Sequence, residues 1–383
     1  MPPVPNFNFR EQEIKEIHDA VESNDNKDKL WFVVHALAGT GKSEIARKYA
    51  AEYSSYYGRN CVWINSSSRK SLETAFIEIA ERCELQIKDD DKKLKPMDYI
   101  INKVHEHLRI DRVLYVFDDV TNVMDIRDFL PDYVSSVSLI TTQLTKWPKY
   151  EFRLRHLNMF NEDESNKYLV DCINEENKLI VGKATLAKIV TLLGGHPLAL
   201  QQFVKAISNF SKDTVDQFIN AFKSQTCKSL TLDMSLPPSN VTAIAAIKVN
   251  IERLKSSTDT ELAISILNTV MYLDITEISM EVINMLFGDC DLLDITNAIQ
   301  QLHSRSLLTN QNTAEGIQFL TVHSLIQKTV LLLHNETGCT SNYLEKCITT
   351  FLNAIKKNFW DDWFFHCNFG EYWVKHFLYN NDK

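Results

Sequence analysis

The chain has 383 residues, 44% hydrophobic and 24% charged, the balance of a globular protein with room for two or three domains, which excludes disorder as its main state. Ten glycines and nine prolines are too few for a collagen-like or low-complexity chain. A net charge of −9 gives no bulk electrostatic reason to expect nucleic acid or an anionic membrane as partner.

The opening MPPVPNFNFREQ has no apolar core behind a basic flank and does not read as a secretory signal. No apolar run approaches the ~20 residues of a membrane span, so the expectation is a cytoplasmic chain with no membrane partner. Eight cysteines are scattered without a C-x-x-C pair or a nearby H-x₃₋₅-H; reduced thiols account for them better than zinc or redox chemistry does.

Leu30–Ala36, LWFVVHA, is a continuous apolar run of the kind a strand buried on both faces produces. A Gly-containing turn and a helix over Ser43–Tyr56 follow, then a strand at Asn60–Asn65. Helical patterns cover Arg69–Glu84 and Met97–Leu108. Core strands at Val113–Phe117 and Val137–Thr141 complete an alternation of strands and helices, which predicts a mostly parallel sheet with flanking helices.

Strands stop near Leu157. Asn161 with Glu164 has the spacing of a capping box opening a helix that runs through Ile173. Helices are predicted over Val181–Leu193, which ends at Gly194-Gly195, from Pro197 onward, and over Val215–Ser224. The polar stretch Asp233–Asn240 marks a boundary. Beyond it come helices over Asp259–Met271, Ser279–Leu286 and Leu292–Ser304. Two short extended pieces, Leu307–Thr309 and Ile317–Thr321, then suggest a winged-helix fold.

The last segment crowds Trp360, Trp363, Phe364, Phe365, Phe369, Tyr372, Trp373 and Phe377 together. Such a stretch needs a covering surface. It either packs back on the preceding domains, binds a partner, or begins a helical repeat array. The predicted division is 7–156 for an α/β domain, 157–232 for a helical subdomain, 240–335 for the winged-helix domain and 336–383 for this tail.

Chemistry concentrates in Ala36-Leu37-Ala38-Gly39-Thr40-Gly41-Lys42-Ser43, close to G-x-x-x-x-G-K-[ST] with Ala36 in the place of the first glycine. In that motif backbone N–H groups cradle phosphate, Lys42 reaches the β- and γ-phosphates, Ser43 holds Mg²⁺, and the next helix turns its positive end to the anion. The phosphate-binding stretch is therefore Ala38, Gly39, Thr40, Gly41, Lys42, Ser43 and Glu44. Val113–Phe117 ends in Asp118-Asp119, carboxylates at the edge where open α/β sheets bind ligands. Asp118 is placed to hold Mg²⁺ with Ser43, and Asp119 to polarise an attacking water. Lys42, Asp118 and Asp119 are the candidate catalytic residues.

These pieces, with four more, resemble an NB-ARC domain of the STAND class of P-loop ATPases, the switch module of plant resistance and apoptosome proteins. Phe7-Asn8-Phe9-Arg10-Glu11 resembles the hydrophobic-Gly-Arg-Glu element, with Phe9 where glycine is usual. Leu139-Ile140-Thr141-Thr142-Gln143 resembles the sensor strand, with Gln143 where arginine is usual. Gly194-Gly195-His196-Pro197-Leu198-Ala199-Leu200 resembles the G-x-P-L-A motif, and Val322-His323-Ser324 stands in the place of M-H-D, with Ser324 for the aspartate. The resemblance covers about residues 7–335.

It implies ADP or ATP with Mg²⁺ as cofactors, Arg10 and Pro197 beside the adenine, Gln143 near the γ-phosphate, and His323 touching the β-phosphate of ADP in a closed state. Exchange to ATP would open the domains and allow self-association. It also implies a role in innate immunity or cell death, with sensor and effector unknown. The chain starts almost at the nucleotide domain, so no N-terminal effector is expected. Gln143 supplies no charge, which points to a slow ATPase at most. Read from the residues alone, His323 is as well explained as a satisfied histidine at a helix start.

Two other readings stand beside the switch. A P-loop ATPase with a DNA-binding winged helix needs a basic face, whereas residues 248–328 offer Lys248, Arg253, Lys255, Arg305 and Lys328 against ten carboxylates. A scaffold that keeps the fold without nucleotide is the other. A phosphotransferase would need an acceptor site, and none is recognisable.

Overall fold

The computed structural model describes residues 9–24, 29–58, 60–109, 112–148, 150–175, 183–207, 212–232, 238–275, 278–312, 318–337 and 340–358. The chain divides into two compact units, the first ending at Met159 and the second starting at Phe160.

In the first unit α1 (Glu11–Asn24) precedes β1 (Leu30–His35) and α2 (Lys42–Glu52). A 3₁₀ turn over Ser54–Tyr57 leads to β2 (Cys61–Asn65). Then come α3 (Arg69–Arg82), α4 (Met97–Leu108), β3 (Val113–Val120), α5 (Val123–Arg127), β4 (Ser136–Thr142) and β5 (Arg153–His156). The five strands form one parallel sheet in the order β2-β3-β4-β1-β5. From β1 the chain crosses to the far edge, winds back through β3 and β4, and closes with β5 on the other side of β1.

Alternation along the strands builds two cores, because successive side chains point to opposite faces. Val33, Tyr115, Phe117 and Ile140 pack with Phe76, Ile100 and Val104 of α3 and α4. Phe32, Val34, Leu114, Val116 and Leu139 pack with Ile14 and Ile17 of α1 and Ile45 and Tyr49 of α2. A strand filled on both faces reads as an unbroken apolar run, which is why β1, β3 and β4 are visible in the sequence.

Three features go beyond the sequence reading. The strand expected to stop at Phe117 continues to Val120 through a shift of register between Phe117 and Val120, so the two carboxylates belong to the strand itself. β5, Arg-Leu-Arg-His, is an edge strand that, among the described residues, pairs with β1 alone, and its charged composition carries no burial signal. α1 buries Ile14, Ile17, Ala20 and Val21 at helical spacing.

Among the described residues the second unit is helical except for one small sheet. Its first helices are α6 (Glu162–Glu175), α7 (Lys183–Leu193), α8 (Pro197–Ala206), α9 (Lys212–Leu232) and α10 (Pro238–Lys255). α11 (Glu261–Val270), β6 (Ile278–Ser279), α12 (Met280–Leu286) and α13 (Leu292–Ser304) follow. β7 (Thr309–Asn312), β8 (Gln318–Thr321), α14 (Ser324–Thr337) and α15 (Thr340–Asn358) complete it. The strands pair antiparallel in the order β6-β8-β7.

The expected capping box is formed: the Asn161 amide donates to Glu164 Oε2 at 2.8 Å, and the Glu164 amide to Asn161 Oδ1 at 2.9 Å. Pro197 occupies the first turn of α8, whose cap is His196, with Nδ1 accepting the Ala199 amide at 3.4 Å. The preceding Gly195 sits at φ +64°, and its carbonyl accepts the Phe160 amide at 3.0 Å. The expected tail after residue 358 lies outside the described residues.

α10 ties the unit together by packing against α8, α9 and α14. Fully buried Asn250 donates to Gln202 Oε1 at 2.7 Å and to the Arg305 carbonyl at 2.9 Å. Gln202 in turn donates to the Ser306 carbonyl at 3.1 Å. Arg253 binds the carbonyls of Ala206 and Thr214, and Lys248, 2% exposed, pairs with Glu336 at 2.8 Å. Among the described residues no helix is long and apolar enough to cross a membrane.

Candidate functional site: a phosphate loop at the carboxyl edge of the sheet

The loop between β1 and α2 leaves the sheet at its carboxyl edge, on the strand where the order of connections reverses; ligands of open α/β sheets bind at such points. Gly39 and Gly41 take φ of +74° and +94°, values a side chain would resist. Gly41 caps α2 and, having no side chain, offers the first turn no acceptor. A Cβ built on Gly41 would meet nothing within 4 Å, so the concavity is open at that point.

Lys42 is the second element of the site. Only 8% exposed, it donates from Nζ to the Leu37 carbonyl at 2.8 Å, while Thr40 Oγ1 donates to the same carbonyl at 2.9 Å. Burial pulls the Lys42 pKa down from 10.5 to about 8, against the opposing pull of Asp119 and Asp118. A cation held out of water this way favours an anion beside it. Ala38 and Thr40 are buried in the loop, and Glu44 pairs with Arg47, whose guanidinium stacks over Trp63 at 5.3 Å.

The carboxylates form the third element. Ser43 Oγ donates to Asp118 Oδ1 at 2.7 Å, and Thr141 Oγ1 donates to the same oxygen. Thr141 Oγ1 also accepts the Asp119 amide at 2.9 Å, so one hydroxyl of β4 fixes both acids of β3. Asp119 sits at φ +59°, a conformation costing about 1–2 kcal/mol for a residue with a Cβ. Burial and the neighbouring Asp118 push its pKa up, against Lys42 and a hydrogen bond from Gln143.

Lys42, Ser43, Asp118, Asp119 and Gln143 are thus brought together. Arg10 enters the first unit by another route. At φ +69° and 4% exposed, it donates to Glu13 at 3.0 Å and to the Asn158 carbonyl, joining the start of α1 to the residue two past β5. Pro197 and His323 belong to the second unit. There His323 Nδ1 accepts the Leu325 amide at 3.1 Å, and its carbonyl accepts that of Ile326 at 2.8 Å, so one ring nitrogen caps α14. Thr141 holds the two carboxylates and Asn158 holds Arg10, and nothing in their residue type or spacing marks them for it.

The donor set fits a nucleotide phosphate with a hard cation. Loop glycines, an uncapped helix start and a buried lysine suit the anion, and the Ser43–Asp118 oxygen pair suits Mg²⁺. Among the described residues no three or more His, Cys, Asp or Glu side chains gather into a metal site, so a cation here would draw its other ligands from phosphate and water.

A pH test follows from Lys42. Its pKa lies below the ordinary value, so the folded chain holds fewer protons than the unfolded one between about pH 8 and 10.5, and this group adds stability as pH rises through that window. A bound phosphate favours the ammonium and raises the pKa again. Nucleotide affinity is therefore expected to be insensitive to Lys42 below about pH 8 and to fall above it, by roughly tenfold per unit. Titration of a fluorescent ADP between pH 7 and 9.5 reads this; an affinity that rises above pH 8 would contradict it.

The NB-ARC domain model matches residues 10–178 of the chain. Among solved structures, the STAND protein with a tetratricopeptide-repeat sensor from Pyrococcus horikoshii superposes with a TM-score of 0.53 at 14% identity, covering 100% of this chain and 54% of that one. The chain thus spans about half the length of that protein, and at that identity the likeness shows the fold. The Orc1 protein of Aeropyrum pernix in complex with DNA gives a TM-score of 0.41 at 13% identity, covering 86% and 93% of the two chains. AMPPCP-bound DnaA of Aquifex aeolicus gives 0.38 at 11%, covering 78% and 87%. At those scores neither bears on the fold or function of this chain. No curated protein matches it.

Proposed function

We propose, from the match of the NB-ARC domain model to residues 10–178, that the chain is an ADP/ATP switch for signal transduction, closed with ADP and opening to self-associate with ATP. The observation that supports it best is the buried Lys42 beside a Ser43–Asp118 pair at 2.7 Å, an arrangement made for phosphate and a divalent cation.

In this reading the loop amides of residues 38–44 and Lys42 hold the phosphates, and Mg²⁺, when bound at Ser43 and Asp118, neutralises charge on the phosphate oxygens. Thr141 keeps Asp118 and Asp119 in place. Asp119 orients a water, and Gln143 holds Asp119 by a neutral hydrogen bond, so hydrolysis is slow. Arg10 and Pro197 border the adenine. His323, whose Nδ1 caps α14, contacts the β-phosphate of ADP. We assign residues 7–156 to the nucleotide domain, 157–232 to a helical subdomain, 240–335 to a winged-helix domain and 336–383 to the tail. The helices and antiparallel strands after Pro238 support the winged-helix assignment. A cytoplasmic signalling role of the innate-immune or cell-death type completes the proposal.

The test is sedimentation velocity of the intact chain with Mg-ADP and with Mg-ATP. The ADP form should run as a monomer and the ATP form as a larger species, and His323→Ala should retain nucleotide yet shift toward the larger species with ADP. Identical sedimentation in both nucleotides, or loss of nucleotide from His323→Ala to the extent seen in Lys42→Ala, would sink the proposal.

A further inference from the structure

Two apolar surfaces of the second unit differ in their charge. At the start of α13, Leu292 and Leu293 are 60% and 67% exposed among Asp289, Asp291 and Asp294. Between α7 and α9 lies a groove of about 420 Å³ lined by Ala187, Leu192, Ile219, Thr191, Lys188 and Lys223. The Thr191 hydroxyl donates to the Ala187 carbonyl of its own helix, which leaves the two exposed lysines as its free polar groups. Among the described residues neither lysine has an ion pair. In a chain with 50 acidic against 41 basic residues, a groove carrying two lysines and no carboxylate is a local inversion of charge.

Its occupant should bring large apolar side chains for the floor and carboxylates for the lysines, with no positive charge of its own. Trp360–Trp373, WDDWFFHCNFGEYW, has this composition: Asp361, Asp362 and Glu371 among seven aromatic residues, and no Lys or Arg. The acidic surroundings of Leu292 and Leu293 would repel the same segment. Reach is sufficient. α15 ends at Asn358, and fifteen residues span up to roughly 50 Å, while a compact unit of about 220 residues has a radius of gyration of roughly 17 Å. An aromatic cluster of this size requires cover, and the groove supplies apolar contact and opposite charge together.

We propose that the groove between α7 and α9 is the docking site of this chain's own acidic aromatic segment, Trp360–Trp373. Its aromatic rings lie on Ala187, Leu192 and Ile219, and its carboxylates face Lys188 and Lys223. The contact does not depend on nucleotide, so it stands or falls apart from the switch.

The experiment is zero-length carbodiimide cross-linking of the intact protein, an equal mixture of ordinary and ¹⁵N-labelled chains, read by mass spectrometry of the digest. Single-isotope links from Lys188 or Lys223 to Asp361, Asp362 or Glu371 are expected. They should fall at least tenfold in Ile219→Asp, a half-buried site whose change places a like charge in the groove; an unaltered melting temperature shows that this variant is folded. Absence of these links in the wild-type chain, or their persistence in a folded Ile219→Asp, would overturn the proposal. So would links of mixed isotope alone, which would place the segment on a second copy.

Discussion

Lys42→Ala is expected to lose at least roughly 100-fold in affinity for ADP and ATP, the scale of about 3 kcal/mol for a buried charge-assisted contact to phosphate. The same change should leave the nucleotide-free fold as stable as the wild type or more so. The ammonium is 8% exposed and its pKa is drawn down from 10.5 to about 8, which at neutral pH corresponds to about 3 kcal/mol against the charged form. Removing the side chain relieves that burden and gives up one hydrogen bond to Leu37. Lys42→Met keeps most of the volume and should show the stabilisation more clearly. Calorimetric titration with ADP, paired with thermal unfolding of the nucleotide-free proteins, separates the two effects. A variant that binds nucleotide normally, or one that unfolds well below the wild type, would contradict the account of a lysine strained for the sake of an anion.

Gly195→Ala should damage the second unit more than any other small substitution in this region. Its φ is +64°, and a Cβ would stand 2.1 Å from the Phe160 carbonyl oxygen, which is backbone and cannot swing aside. Overpacking and a left-handed non-glycine residue together cost roughly 3 kcal/mol or more. For a unit of about 220 residues that lowers the melting temperature by roughly 6–12 °C. Gly194→Ala is the internal comparison: φ is +58° but nothing lies within 4 Å of a Cβ, so the conformational cost of about 1–2 kcal/mol remains alone. Thermal unfolding of both variants should rank them in that order; equal melting points would show that the approach to Phe160 is not a constraint.

What could be read from the residues divides along physical lines. β1, β3 and β4 announce themselves because strands buried on both faces leave continuous apolar runs, and the Asn161–Glu164 box is visible because capping is local. Ala36–Ser43 and Asp118-Asp119 carry their chemistry in residue type and spacing. β5 is silent because an edge strand of Arg-Leu-Arg-His has little to bury, although it completes the sheet beside β1 and leads to Asn158, the partner of Arg10. The extension of β3 past Phe117 depends on a register shift and a left-handed Asp119, which no propensity forecasts. The second unit's hairpin strands fall at Thr309–Asn312 and Gln318–Thr321. The apolar pair Leu307 and Leu308 places the expected start of the first at Leu307, but both are buried ahead of the strand. Thr141 and the Gln202–Asn250–Arg305 bonds escaped notice because they join residues far apart in sequence, and the type of a residue does not name its partner.

The central claim is that this loop holds an adenine nucleotide. Denaturing the purified protein and identifying what it releases by ion-pair chromatography tests that claim most directly, with Lys42→Ala treated identically. Stoichiometric ADP from the wild type and none from the variant is the predicted result. No nucleotide from either, together with no thermal shift on adding Mg-ADP or Mg-ATP, would contradict it and identify the chain as a scaffold that keeps the fold without the switch.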